Sequence, residues 1–206
     1  MTAIPEPKEF SALADQALAK LRAGNERFVR GEARFPTVCK ETLADLARGQ
    51  SPFATILGCS DSRVPPELIF DANFGELFIV RVAGNVVSPE VMGSLQYAGA
   101  HLRTPLFLVL GHEGCGAIQA ALACKFGGVQ ERSRIQALIN NILPGLPDFD
   151  DEVPEQARLT SAIEANVRWS MRQLLDTPEG QNAQRLGARF QGAVYEITTA
   201  QVRFLE

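Results

Sequence analysis

Cys59, Asp61 and Arg63 stand at alternate positions in GCSDSRVPPE, residues 58–67, directly after the apolar run Phe53–Leu57. A thiol, a carboxylate and a guanidinium at a strand end make poor core material, because each is costly to bury without a partner. A second segment, GHEGCGA at 111–117, sets His112 and Cys115 three residues apart where a loop opens into a helix. Two thiolates and an imidazole suit zinc. His101 is the only other histidine of the sequence, and it reads as lying on a helix that leads away from the others. Three ligands with one position open are the pattern of a catalytic metal rather than a structural one. A lone His-x-x-Cys is a weak signal, and Cys59 has an alternative role as a nucleophile activated by a helix N-terminus and Arg63.

Asp61 and Arg63 are two apart, so an extended turn points both to one side. A two-pronged guanidinium–carboxylate pair would keep Asp61 ionised and fixed. On an open surface such a pair is worth little. Beside a metal it has a use: ionised Asp61 accepts the hydrogen of a hydroxide on zinc and turns the oxygen lone pair toward an electrophile.

The elements that must bring these groups together can be read from the hydrophobic pattern. Phe53–Leu57, Leu77–Val82 and Leu106–Leu110 are apolar runs typical of buried strands. Helical spacing covers 10–30, with Gly24 as a weak point, and a short stretch at about 40–48. Ser88-Pro89-Glu90 opens a further helix with a good N-cap and a proline in the first turn. Gly116 to Phe126, 131–143, 155–175 and about 178–188 also read as helices, with a proline-rich acidic loop at 144–154. The segments FQGAVYEI and QVRFLE across TTA predict a hairpin at the sheet edge. Strands alternating with helices predict an α/β fold with a central, mainly parallel sheet flanked by helices. Such sheets bind ligands at the carboxyl ends of their strands. Cys59 and the 111–117 segment both fall there.

The 206 residues read as one domain, 46% of them hydrophobic, so a sizeable core is available. A net charge of −4 and a pI near 5.3 argue against nucleic-acid and anionic-membrane partners. MTAIPEPKEF lacks the build of a secretory signal. No apolar run approaches the about 20 residues needed to span a bilayer. The expected compartment is the cytoplasm, and a bacterial microcompartment would leave the same pattern. In a reducing space the four cysteines are not expected to form disulfides. Cys39 and Cys124 lie in plain contexts and read as small buried residues.

C-S-D-S-R-V-P followed about fifty residues later by G-H-x-x-C-G resembles the β-class carbonic anhydrases. NERFVRG, GQSPFATILGCSDSRVPPELIFD, GELFIVRVAGNVV, SLQYAGAHL, SAIEANV and GAVYEITTAQVRFL are similar to that family in the same order, over roughly 25–206. The resemblance implies one zinc ion per chain on Cys59, His112 and Cys115, with Asp61 and Arg63 as the catalytic dyad. It further implies that Gln50 hydrogen-bonds substrate and that Phe78 and Tyr97 line the substrate pocket, often across a dimer interface. Each of these three also has a plain reading, as a loop or core residue.

Ala83 replaces a bulkier valine found beside the substrate in some members. Ile56 replaces a tryptophan that belongs to a regulatory bicarbonate pocket in others, and the one tryptophan here, Trp169, lies far along the chain. The implied function is reversible hydration of carbon dioxide to bicarbonate and a proton, by attack of zinc-bound hydroxide oriented by the dyad. Main-chain N–H groups near Gly116, with Gln50, would steady the developing oxyanion. The nearest alternative is a zinc hydrolase acting on carbonyl sulfide or carbon disulfide. A homodimer or homotetramer is expected, with the N-terminal helical arm (1–35) packing on a partner subunit. Glu113, between two ligands, is expected to point outward or into the subunit contact.

Overall fold

A computed structural model of the protein describes residues 6–34, 40–150 and 152–206. Cys39 lies outside the described residues. The chain begins with α1 (Pro7–Val29) and α2 (Lys40–Leu46), then enters β1 (Ala54–Gly58). A single turn of helix, α3 (Pro66–Ile69), leads to β2 (Leu77–Arg81). A tight 3-10 turn at Ala83–Asn85 precedes α4 (Pro89–Tyr97), whose last turn widens into a π-helical turn at Ala98–Leu102. After β3 (Leu106–His112) come α5 (Gly116–Gly127), α6 (Ser133–Ile142), α7 (Glu155–Leu175) and α8 (Pro178–Arg185). The chain closes with β4 (Arg189–Glu196) and β5 (Gln201–Phe204).

The five strands form one sheet in the order β2-β1-β3-β4-β5. β1 pairs parallel with β2 and β3, and β3 pairs parallel with β4. Only β5 runs antiparallel, as the second arm of the expected hairpin. That hairpin is not wholly at the edge: β4 is an interior strand and β5 alone is the margin.

β1 and β3 are buried along their whole lengths. This is why they read as unbroken apolar runs, since a parallel strand covered on both faces has no polar side. Ile56, Leu108, Leu110, Ala193 and Tyr195 face one layer, where they meet Ala17, Leu18 and Leu21 of α1. Leu57, Val109 and Val194 face the other, against α5, α6 and α7. α1 therefore lays its apolar face on the sheet of its own chain. β2, by contrast, is only half covered along its length.

Two close approaches set the layers. Val167 of α7 sits against Gly111 of β3 and Gly192 of β4, where a Cβ would stand 2.6 and 2.9 Å from its methyl carbons. A side chain at either glycine would push α7 off the sheet. On the opposite face, Asn25 of α1 is buried and donates to the carbonyls of Ile69 (3.3 Å) and Ala200 (3.0 Å). Its Oδ1 accepts from the Val202 amide at 2.8 Å. One side chain thus ties α1 to α3 and to the β4–β5 turn. Asn25→Ala leaves these groups without partners, at a cost of about 2–3 kcal/mol. The expected outcome in a thermal melt is a Tm lower by about 5–10 °C, with metal content unchanged.

Candidate metal centre

Because β1 and β3 are parallel neighbours with Gly58 opposite Leu110, their carboxyl ends finish side by side. Cys59 follows β1 at once, and His112 is the last residue of β3. Cys115 is the cap residue of α5, with extended backbone and a carbonyl that accepts from the Ile118 and Gln119 amides. Their ligand atoms all lie within 4.8 Å of one another. All three residues are buried, His112 completely.

The imidazole is held in one orientation. His112 Nδ1 lies 2.9 Å from the Glu113 carbonyl oxygen. A carbonyl only accepts, so Nδ1 carries the proton and Nε2 presents its lone pair. That Nε2 is buried and has no hydrogen-bond partner. An orphaned imidazole nitrogen beside two sulfurs is what a dication with soft-to-borderline preferences would satisfy.

The sulfurs point the same way. Hydrogen bonding from Cys115 holds the Cys59 thiol down to about 4 against the resistance of burial. The amides of Asp61 and Gly84 add to that depression. Cys115 is pushed far above the ordinary thiol range by its hydrogen bond to Cys59, by burial and by the charge on that neighbour. Side by side, one thiol is favoured in its charged form and the other in its neutral form, and a cation between them would let both ionise. Residues Cys59, His112 and Cys115 thus fit zinc.

Asp61 and Arg63 meet as their spacing predicts. Arg63 Nε donates to Asp61 Oδ1 at 2.9 Å and Nη2 donates to Oδ2 at 2.8 Å. The Arg63 amide also donates to Oδ1, at 2.9 Å. This grip holds the Asp61 carboxyl well below the usual carboxylate range. Asp61 Oδ2 stands 3.9 Å from the unpartnered His112 Nε2. The loop is clamped from behind by Arg81, whose guanidinium donates to the carbonyls of Cys59 (2.9 Å) and Asp61 (2.6 Å).

Glu113 turns away from the sulfurs. Its carboxylate accepts from the Thr198 amide (3.0 Å) and hydroxyl (2.9 Å), which hold it below its ordinary range. Its own amide donates to the Tyr195 carbonyl at 2.9 Å. The residue between the two ligands thereby pins their loop to β4 and the β4–β5 turn.

Gln50, Phe78 and Tyr97 are not gathered at this cluster. Gln50 is exposed in the segment before β1. Phe78 pairs in register with Thr55, four residues short of Cys59 along the sheet, or about 13 Å. Its ring lies 6.3 Å from that of Tyr97, which is 48% exposed and meets the His101 ring at a tilt, 4.8 Å between centres. Gly116 is exposed at the first turn of α5, and Ala83 opens the 3-10 turn beside Gly84. His101 is part of the π-helical turn, away from the cluster as expected. Cys124 is half-buried rather than buried. Arg81 and Gly84, which donates its amide to Cys59 Sγ at 3.3 Å, were not found by motif reading. Neither position carries a local signal, because each acts through a contact more than twenty residues away.

A family model described as carbonic anhydrase matches residues 54–202. Carbonic anhydrase 2 of Mycobacterium tuberculosis is 44% identical over 126 residues, which make up 61% of this chain and 61% of that protein. The chain thus spans less than two thirds of that relative's length. The carbonic anhydrase of Pseudomonas aeruginosa is 31% identical over 175 residues, 81% of this chain and 79% of its own. Among solved structures, the β-carbonic anhydrase CcaA superposes with a TM-score of 0.73 at 23% identity, over 92% of this chain and 95% of that one. A chain from the crystal structures of two tetrameric β-carbonic anhydrases of Sordaria macrospora gives a TM-score of 0.70 at 24% identity, over 93% of this chain and 95% of that one. These structural likenesses bear on the fold, and the sequence matches bear on descent. With the paired strand-end motifs and the gathered Cys–His–Cys cluster, they place the chain in the β-carbonic anhydrase family.

Proposed function

We propose that the protein catalyses the reversible hydration of carbon dioxide to bicarbonate and a proton, with one zinc ion held by Cys59, His112 and Cys115. The observation that carries this reading is the pairing of Asp61 with Arg63 beside an inward, unpartnered imidazole nitrogen. A purely structural zinc site needs no such ion pair.

When bound, zinc supplies a Lewis acid that lets a coordinated water lose its proton near neutral pH. The chain's own groups do the rest. Asp61, ionised and gripped by Arg63, accepts the hydrogen of the attacking oxygen and so turns its lone pair toward the carbon. Because Arg63 holds Asp61, the carboxylate would stand beside a bound zinc without serving as one of its ligands. The Gly116 N–H at the start of α5 stabilises negative charge as it grows on the substrate oxygen, and Gln50, which lies at the far end of β1, would join it only from across a subunit contact. Small, apolar Ala83 leaves room for an uncharged linear molecule.

Phe78 and Tyr97 lie too far along the sheet to serve their own cluster, so in this reading they line a neighbouring subunit's site. Strand β2 supports that arrangement, since it is a half-covered margin of the sheet. The assembly is a dimer or tetramer, and α1 leaves Leu13 and Val29 exposed on the two flanks of its buried stripe, where a partner could cover them. Among the described residues no helix is long and apolar enough to cross a membrane. Cysteine ligands need reduced sulfur, which fits a cytoplasmic site of action.

Metal analysis joined to stopped-flow carbon dioxide hydration tests the reading. Cys59→Ser is expected to lose stoichiometric zinc, whereas a nucleophile variant would keep it. Asp61→Asn is expected to retain zinc and lose about 100-fold or more in kcat. Full activity in Asp61→Asn would remove the dyad from the mechanism.

The pH profile gives an independent check. Two thiolates bring more negative charge to the metal than histidines do, so the reacting water gives up its proton at higher pH. Activity is therefore expected to rise from about pH 6.5 to about pH 9. Asp61 adds no inflection there, because its folded-state pKa is depressed. Its pair contributes stability above the unfolded carboxylate pKa and loses it only as pH falls through the lower folded value. A flat profile across that range would contradict the ligand set.

A further inference from the structure

The stretch RVAGNVV carries more than a strand end. After β2 the chain makes the 3-10 turn at 83–85, in which Gly84 has φ +66° and Asn85 φ +44°. Left-handed backbone at a buried asparagine is costly and persists only where surroundings enforce it. Gly84 cannot be replaced without strain. Its φ disfavours side chains, and a Cβ there would meet Ile142 Cδ1 at 3.0 Å and Ala117 Cβ at 3.1 Å.

What this strained turn achieves is the aim of one amide. Gly84 N–H points at Cys59 Sγ, 3.3 Å away. The turn is held from the far side of the core by α7. Asn166 Nδ2 donates to the Gly84 carbonyl at 2.8 Å, and Ser170 Oγ donates to the Asn85 carbonyl at 2.9 Å. Asn166 and Ser170 are four apart, so they share one face of the helix. They are 1% and 0% exposed, and Asn85 is 2% exposed. Asn166 Oδ1 and Asn85 Nδ2 have no hydrogen-bond partner.

Three buried polar side chains, two with an unsatisfied atom, are an expensive way to attach a loop to a helix that apolar residues would hold as well. The cost is explained if the turn's orientation matters. An N–H···S bond draws charge from a thiolate and fixes the direction of its lone pairs. Groups behind a metal ligand are known to set ligand basicity and orientation. Val167, between the two helix residues and seated on Gly111 and Gly192, keeps α7 at the height this reach requires.

We infer that Asn166 and Ser170 are positioning residues, which hold the Gly84 turn so that its amide is aimed at the Cys59 sulfur. The inference rests on the reading of Cys59 as a metal ligand. It concerns donors that reach the metal only through that sulfur.

The test uses the full-length protein loaded with cobalt(II) in place of zinc, and reads the energy of the sulfur-to-cobalt charge-transfer band. Asn166→Asp keeps the shape and removes the donor, and Asn166→Ala removes the group. Both are expected to move the band to longer wavelength, because a thiolate relieved of its N–H donor is easier to oxidise. Metal affinity should fall about 10- to 100-fold. Leu174→Ala opens a cavity on the buried face of the same helix, and is expected to lower the melting midpoint while leaving the band in place. Ser170→Ala, the milder change, shifts the band in the same direction and decides the matter should the Asn166 variants not fold.

An unmoved band in the folded Asn166 variants, or in Ser170→Ala where it must decide, overturns the inference. Wild type with no cobalt–thiolate band, or Cys59→Ser with full metal content, would instead bring down the ligand reading and this inference with it.

Discussion

Two sulfurs and an imidazole nitrogen lie together in a place that water hardly reaches. Polar atoms so placed raise the free energy of the fold unless something binds among them. The two thiols are driven in opposite directions, one toward the charged form and one toward the neutral form, and the imidazole nitrogen has no hydrogen-bond partner. The neighbourhood is organised around this unmet demand. Parallel pairing of β1 and β3 brings the groups to one level, and the surrounding loops hold them there.

The holding groups come from several directions. Arg81, at the end of β2, grips the backbone of the Cys59–Asp61 loop through two carbonyls. Glu113 fastens the His112–Cys115 loop to the β4–β5 turn. Arg63 fixes the Asp61 carboxylate 3.9 Å from His112 Nε2 and also approaches the Gly114 carbonyl at 3.5 Å. The carboxylate is thereby held beside the cluster in one orientation.

Much of this arrangement was legible in the sequence, for identifiable reasons. Strands covered on both faces leave continuous apolar runs, so β1 and β3 stood out, and the 155–175 helix was read to the residue. Strand ends in parallel sheets attract ligands, so Cys59, His112 and Cys115 could be joined across fifty residues. The turns were harder. The single-turn helix at 66–69 and the π-helical turn at 98–102 leave no periodicity to detect. The contacts of Arg81, Gly84 and Asn166 belong to tertiary packing: Asn166 meets a carbonyl 82 residues earlier in the chain. Gln50, which the motif resemblance joins to the substrate, is exposed in the segment before β1, because the position of a loop residue depends on what lies opposite it.

The seat of Val167 on Gly111 and Gly192 has a wider implication. Gly111 is bonded directly to His112, and the helix that rests on it carries the tether to Gly84. A methyl group added at that one position would therefore disturb two ligands by separate routes, one along the strand and one over the top of the sheet. Little room for change is left at so small a residue, and the spacing between helix and sheet becomes a setting of the Cys–His–Cys cluster as well as of the fold.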